Sequence, residues 1–107
     1  MHIALFYAMP SEIDSLIHGA EPMETVHGVS FYRLRPNVIA CCGGVGKVNA
    51  AMCAQILCRH YRADRILNSG VAGCLTDLPI GALVLAEDFV QHDVDTTAVG
   101  DPIGLVS

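Results

Sequence analysis

His2-Ile-Ala-Leu-Phe-Tyr7, followed by Ala8-Met-Pro-Ser-Glu12 and then Ile13-Asp-Ser-Leu-Ile17, decides the fold. This short, nearly continuous apolar run suits a strand covered on both faces rather than one half exposed to water. Pro10 ends the run, and a helix should begin there: Ser11 is placed to cap it, Asp14 to complete a capping-box-like pair, and Ile13, Leu16 and Ile17 form an apolar stripe at helical spacing. The unit is strand, tight turn, helix.

The same grammar recurs downstream. Glu21 to Arg35, divided by Gly28, reads as a hairpin ahead of a strand over Val38 to Cys42. Gly43-Gly-Val-Gly46 turns the chain into Lys47 to Tyr61, whose Ala, Met, Leu and Gln residues favour helix and whose broad apolar faces predict a largely buried one. Arg65 to Ser69 reads as the next strand, Gly70-Val-Ala-Gly73 as a small-residue loop, and Ala82 to Val90 as one more strand. Strands alternating with helices imply an α/β fold with a mixed, mainly parallel sheet flanked by helices. Gln91 to Ser107 has no clear period and ends without a helix stop or polar tail, as if the chain stopped within a domain.

Composition sets the outer bounds. The 107 residues allow one domain at most, and 52% hydrophobic against 16% charged residues excludes a disordered chain. A net charge of -5, with few and scattered basic residues, argues against a nucleic-acid partner. No apolar run reaches membrane-spanning length without a charge or glycine, so no membrane partner is expected. Five cysteines, an odd number that includes the adjacent Cys41-Cys42, and no signal-peptide pattern fit a reduced, cytoplasmic chain whose thiols act as small buried hydrophobes. There is no Cys-x-x-Cys and the histidines are dispersed, so no structural zinc is expected.

Ligands of open α/β sheets collect at the carboxyl ends of strands, which singles out Ala8 to Glu12, Gly43 to Lys47 and Gly70 to Gly73. Gly43 to Lys47 has a superficial likeness to a phosphate loop, but the glycine spacing is wrong and Val48 stands where Ser or Thr is needed. The first turn lacks the glycines of a dinucleotide site. Glu12 falls in the first helical turn, where the helix dipole favours its ionised form. Position alone favours a plain dipole role, although an ionised carboxylate beside a cleft can also serve as general base. Met9 and Val45 are apolar where loops are usually polar, and could line a pocket or plug the core. His92-Asp93-Val94-Asp95 offers metal-ligand types in an extended segment, but surface hydrogen bonds or partner contacts suit it better.

Four motifs occur in order: Ala8-Met9-x-x-Glu12, Gly44-Val45-Gly46-Lys47-Val48, Asn68-Ser69-Gly70-Val71-Ala72-Gly73 and His92-Asp93-x-Asp95-x-Thr97-Ala98. Together they resemble the 5'-methylthioadenosine/S-adenosylhomocysteine nucleosidases of the nucleoside phosphorylase/hydrolase superfamily, along essentially the whole chain. The resemblance implies a single partial domain over residues 1–107, the N-terminal half of a fold about twice this length, usually homodimeric and active on a small nucleoside without cofactor or metal. It implies that Glu12 activates water for attack on the anomeric carbon, while a later Asp, absent from these 107 residues, protonates the purine. Met9 and Val45 would then bound the 5'-alkylthio slot, and Val71, Ala72 and Gly73 would approach the ribose and the water. Many relatives carry Ser at the Val71 position, so this chain offers only a backbone N–H there. Thr96 and Val99 match the stretch that lines a neighbouring subunit's 5'-pocket. A nucleoside phosphorylase, or a non-catalytic binding or dimerisation module, are the competing expectations.

Overall fold

The computed structural model describes residues 1–105, so the expected cut edge at Ser107 lies outside them. The elements are β1 (Ile3–Tyr7), α1 (Pro10–Ile17), β2 (Glu21–Val26), β3 (Val29–Arg35), β4 (Val38–Cys42), α2 (Lys47–Arg59) and β5 (Arg65–Asn68), with a 3-10 turn at Thr97–Val99. The strands form one mixed sheet in the order β2-β3-β4-β1-β5. β1 runs parallel to both of its neighbours, and the β2–β3 and β3–β4 pairings are antiparallel.

β1 is apolar along its length because both of its faces are covered. Ala4 and Phe6 join Phe31, Ile39 and Cys41 beneath Cys53, Ile56 and Leu57 of α2. Tyr7, with Leu5 packed against it, joins Ile13 and Ala40 on the other face, where Ile17 adds to the cluster. The alternation along β1 therefore serves two cores rather than a core and solvent. The hairpin turn is two residues, His27 and Gly28, both at positive φ (49° and 80°), the conformation whose twist suits a tight hairpin.

Five expectations need correction. The α1 cap is not Ser11: the helix begins at Pro10 with Met9 as N-cap, and Glu12, not Asp14, reaches back to the Met9 N–H. Proline fits the first helical position because its missing N–H has no partner there in any case. α2 is one-faced rather than largely buried, with Cys53, Ile56 and Leu57 inside and Val48 and Met52 exposed. It also stops two residues early, where Arg62 takes a positive φ of 52° and Tyr61 packs on Phe31 with ring centroids 4.6 Å apart.

Ala82 to Val90 forms no strand, and Leu83 is fully exposed at 100%. Among the described residues no strand pairing includes it, and β-propensity alone does not order an extended segment. The cysteines are not uniformly buried. Cys41 and Cys53 are, Cys42 is half-buried, Cys58 and Cys74 are exposed, and all five are free thiols. Burial, reinforced by Cys53, pushes the Cys41 thiol up to about 12, so it behaves as an inert apolar filler.

The chain separates into two compact units, Met1–Gly73 and Cys74–Ser107. The first holds the sheet and both helices. Within the described part of the second, the Gln91 and Gly104 N–H groups donate to the Gly104 and Val94 carbonyls, at 2.7 and 3.1 Å. Among the described residues no helix is long and apolar enough to cross a membrane.

Gly43 joins β4 to the loop before α2, and a Cβ there would drive into Phe6 and Cys53, both core side chains. Gly43→Ala is therefore expected to destabilise the protein by about 1–3 kcal/mol, the usual cost of overpacking, as read from the midpoint of chemical unfolding.

Candidate active site

The register of β1 brings three strand ends together. Tyr7 is opposite Cys42 on β4, and Phe6 is opposite Asn68 on β5. The turns after β1, β4 and β5 therefore leave the sheet side by side, at the carboxyl ends of its three parallel strands. Short bonds tie them: Gly43 N–H donates to Tyr7 O at 2.9 Å, the Cys42 thiol lies 3.6 Å from Ala8 O, and Asn68 Nδ2 donates to Phe6 O at 3.1 Å.

Glu12 lies where these turns meet. Its Oε2 accepts the N–H groups of Ala8 (3.2 Å) and Met9 (3.0 Å), and its Oε1 accepts the N–H of Val71 (3.2 Å). Two of those donors come from the strand–helix turn and the third arrives from 59 residues away. The bonds from Met9 and Val71, with a lesser one from Ala8, hold the Glu12 carboxyl below its ordinary range against the opposing push of desolvation. Glu12 is therefore a carboxylate at neutral pH. It closes half of a capping box with Met9 and reaches the loop after β5 as well, which is more than the helix dipole requires.

The other expected site residues divide into groups. Met9 is the N-cap of α1 with its side chain partly exposed, so it does not plug the core. Val45 is also exposed, on a loop held by a 2.8 Å bond from Asn49 Nδ2 to Val45 O. Val71 gives Glu12 its N–H while its side chain is 79% exposed, and Ala72 and Gly73 follow it on the surface. A cavity of about 190 Å³ is lined by His2, Ile3, Asn37, His60 and Tyr61 among others, and does not include Glu12. Glu12 thus occupies an open shelf rather than a closed pocket.

In the second unit, the Thr96 hydroxyl lies 2.9 Å from Asp101 Oδ2 and 3.0 Å from Leu105 O, while Val99 is 80% exposed. Asp95 accepts the Thr97 hydroxyl at 2.7 Å and the Thr97 N–H at 3.0 Å, and these bonds lower its carboxyl from the ordinary value. Among the described residues no three His, Cys, Asp or Glu side chains converge as a metal site. Sequence reasoning missed the contribution of Cys42 and Asn68 to holding the turns. Asn68 lay within a recognised motif, but only the strand register shows that its amide meets the end of β1.

Residues 2–106 match the family described as the phosphorylase superfamily. The chain belongs to that superfamily. A 5'-methylthioadenosine/S-adenosylhomocysteine nucleosidase of Geobacillus sp. (strain WCH70) is 39% identical over 112 residues, covering 99% of this chain and 48% of that relative. The solved structure of an S-adenosylhomocysteine nucleosidase from Streptococcus pyogenes, in complex with 5-methylthiotubericidin, aligns with a TM-score of 0.91 and 35% identity over 100% of this chain and 48% of its own. The futalosine hydrolase of Helicobacter pylori aligns with a TM-score of 0.87 and 30% identity, over 99% of this chain and 48% of its own. The resemblance drawn from the four motifs is thereby borne out, and the chain spans about half the length of the curated relatives it matches.

A carboxyl held below its ordinary value stabilises the fold only while it is ionised. The contribution of Glu12 is complete above the unfolded-state value and is lost as pH falls through the lowered native one. Unfolding of the protein and of Glu12→Gln, compared between about pH 6 and about pH 3, is expected to show a stability difference that shrinks toward the acid end.

Proposed function

We propose that this chain supplies the water-activating half of a site that hydrolyses the N-glycosidic bond of 5'-methylthioadenosine or S-adenosylhomocysteine and releases adenine. The observation that carries the reading is the Glu12 carboxylate, ionised and fixed by three backbone N–H groups on the shelf where three strand ends meet. The names of the relatives supply the substrate class.

In this chemistry the glycosidic bond loosens toward an oxocarbenium-like state, and water attacks the anomeric carbon. Glu12 takes the proton of that water; its hydroxyl goes to the sugar, and the bonding pair leaves with adenine. Oε1 accepts one bond, from Val71, and keeps a lone pair for the water. The acid that returns a proton to the purine is not among these 107 residues, so the chain carries half of an acid–base pair. Met9 and Val45 bound the 5'-alkylthio side, while the Val71 to Gly73 backbone approaches the ribose. The continuous family match over residues 2–106 supports taking both units as parts of one partial domain, and five free thiols fit a cytoplasmic setting.

Membership of the phosphorylase superfamily keeps a second reaction in view, in which phosphate replaces water. A fixed carboxylate beside the anomeric carbon would repel phosphate, which favours hydrolysis. Incubation with methylthioadenosine in phosphate-free buffer is expected to release adenine, and Glu12→Gln to slow that release by about 10²–10⁴-fold. Release only when phosphate is added would make the protein a phosphorylase. No release from folded protein would leave the family assignment standing and make this chain an incomplete enzyme or a binding or dimerisation module.

We also place Thr96 and Val99 at a homodimer interface, lending apolar surface to the partner's 5'-pocket. The exposure of Val99 on a short turn closed by Gly100 supports this. Sedimentation is expected to show a dimer for the native protein and a shift toward monomer for Val99→Asp, because a charge there would have to be desolvated on association.

A further inference from the structure

Glu12 meets the loop after β5 at unusually close quarters. A Cβ placed on Gly70 would lie 2.7 Å from Glu12 Oε1 and 3.2 Å from its Cδ, inside van der Waals contact. Gly70 does not adopt the left-handed backbone, so its lack of a side chain answers no conformational need. The need is space for the carboxylate.

The segment around Gly70 is held from the strand side. Asn68 Nδ2 and Ser69 N–H both donate to the Phe6 carbonyl, at 3.1 and 3.3 Å, and fasten the end of β5 to the end of β1. Two residues beyond Ser69, Val71 N–H reaches Glu12 Oε1. Gly70 is the spacer between this anchor and the donor.

We propose that Gly70 is a positioning residue for Glu12: by leaving room for Oε1 beneath the loop, it lets Val71 N–H hold the carboxylate in place and in its ionised form. The inference takes Glu12 as the reacting base from the proposed function, but its central claim is one of geometry and ionisation. A methyl at Gly70 pushes against the far end of a flexible side chain rather than against backbone. The carboxylate swings off Val71 N–H, or the loop lifts; either way the bond is lost and the fold is spared. Loss of the donor and the added apolar group both favour the neutral acid.

The test is a carbon-13 carboxyl NMR titration of Glu12 in the native protein and in Gly70→Ala. The native midpoint is expected below that of an ordinary glutamate and the variant's above the native one, with a single cooperative unfolding transition retained and its thermal midpoint lowered only by the stabilisation lost with the Val71 bond. In whichever form of the protein releases adenine, the acidic limb of kcat/KM moves to higher pH in parallel. kcat falls by about 10²-fold, the scale set by misplacing a reacting group by about 1 Å. An unchanged Glu12 midpoint in folded Gly70→Ala overturns the proposal.

Should that variant fail to fold, Asn68→Ala releases the same segment from its anchor and is expected to raise the midpoint in the same direction. The native protein supplies a further arm without mutation: the Val71 amide shift should follow the Glu12 titration, and one that does not follow it overturns the proposal. A raised midpoint with no adenine released by any form leaves the positioning role intact and sinks the nucleosidase reading, so the two failures are distinct.

Discussion

The parallel pairing of β1 with both β4 and β5 is the constraint from which the other features follow. It fixes Tyr7 against Cys42 and Phe6 against Asn68, so three chain reversals leave the sheet at nearly one level. Register of this kind is enforced by burial: a one-residue slip of β1 would exchange Phe6 and Tyr7 between two filled cores. The position of Glu12 relative to Val71, far apart in sequence, is thus a product of hydrophobic packing several residues away from either.

Packing and polar chemistry divide the work along the same strands. Phe6 is buried on its side-chain side while its carbonyl accepts from Asn68 and Ser69 at the strand end. Tyr7 behaves likewise, with a buried ring and a carbonyl taken by Gly43. The rigidity of the core is thereby passed to backbone groups facing the shelf, and a carboxylate bound by such groups needs little reorganisation to remain charged.

Much of this was legible in the sequence because the signals were local. Continuous apolar runs gave β1 and β4, Gly28 gave the hairpin, and Pro10 gave the start of α1. The cap of α1 was misjudged because Ser11 looks like a cap by residue type, whereas Pro10 already fits the first helical position and Glu12 satisfies the Met9 N–H. Ala82 to Val90 failed as a strand for the opposite reason: its composition is right, but strand formation depends on a neighbour that no local pattern can show. Glu12 was identified by its motif, yet the Val71 bond and the closeness of Gly70 are tertiary facts, invisible until the ends of β1 and β5 are set side by side.

The uncovered stretch Ala82-Leu-Val-Leu-Ala86 has a bearing on how the polypeptide behaves at high concentration. It holds five consecutive apolar residues with no charge or proline, and Leu83 and Leu85 stand almost wholly in water. Such a segment is a template for intermolecular β-pairing, and Glu87 and Asp88 immediately after it are the nearest charges that could act as gatekeepers. Replacing both carboxylates with neutral residues would therefore leave the apolar run without its nearest charges, and aggregation at high concentration would rise while the sheet stayed as it is.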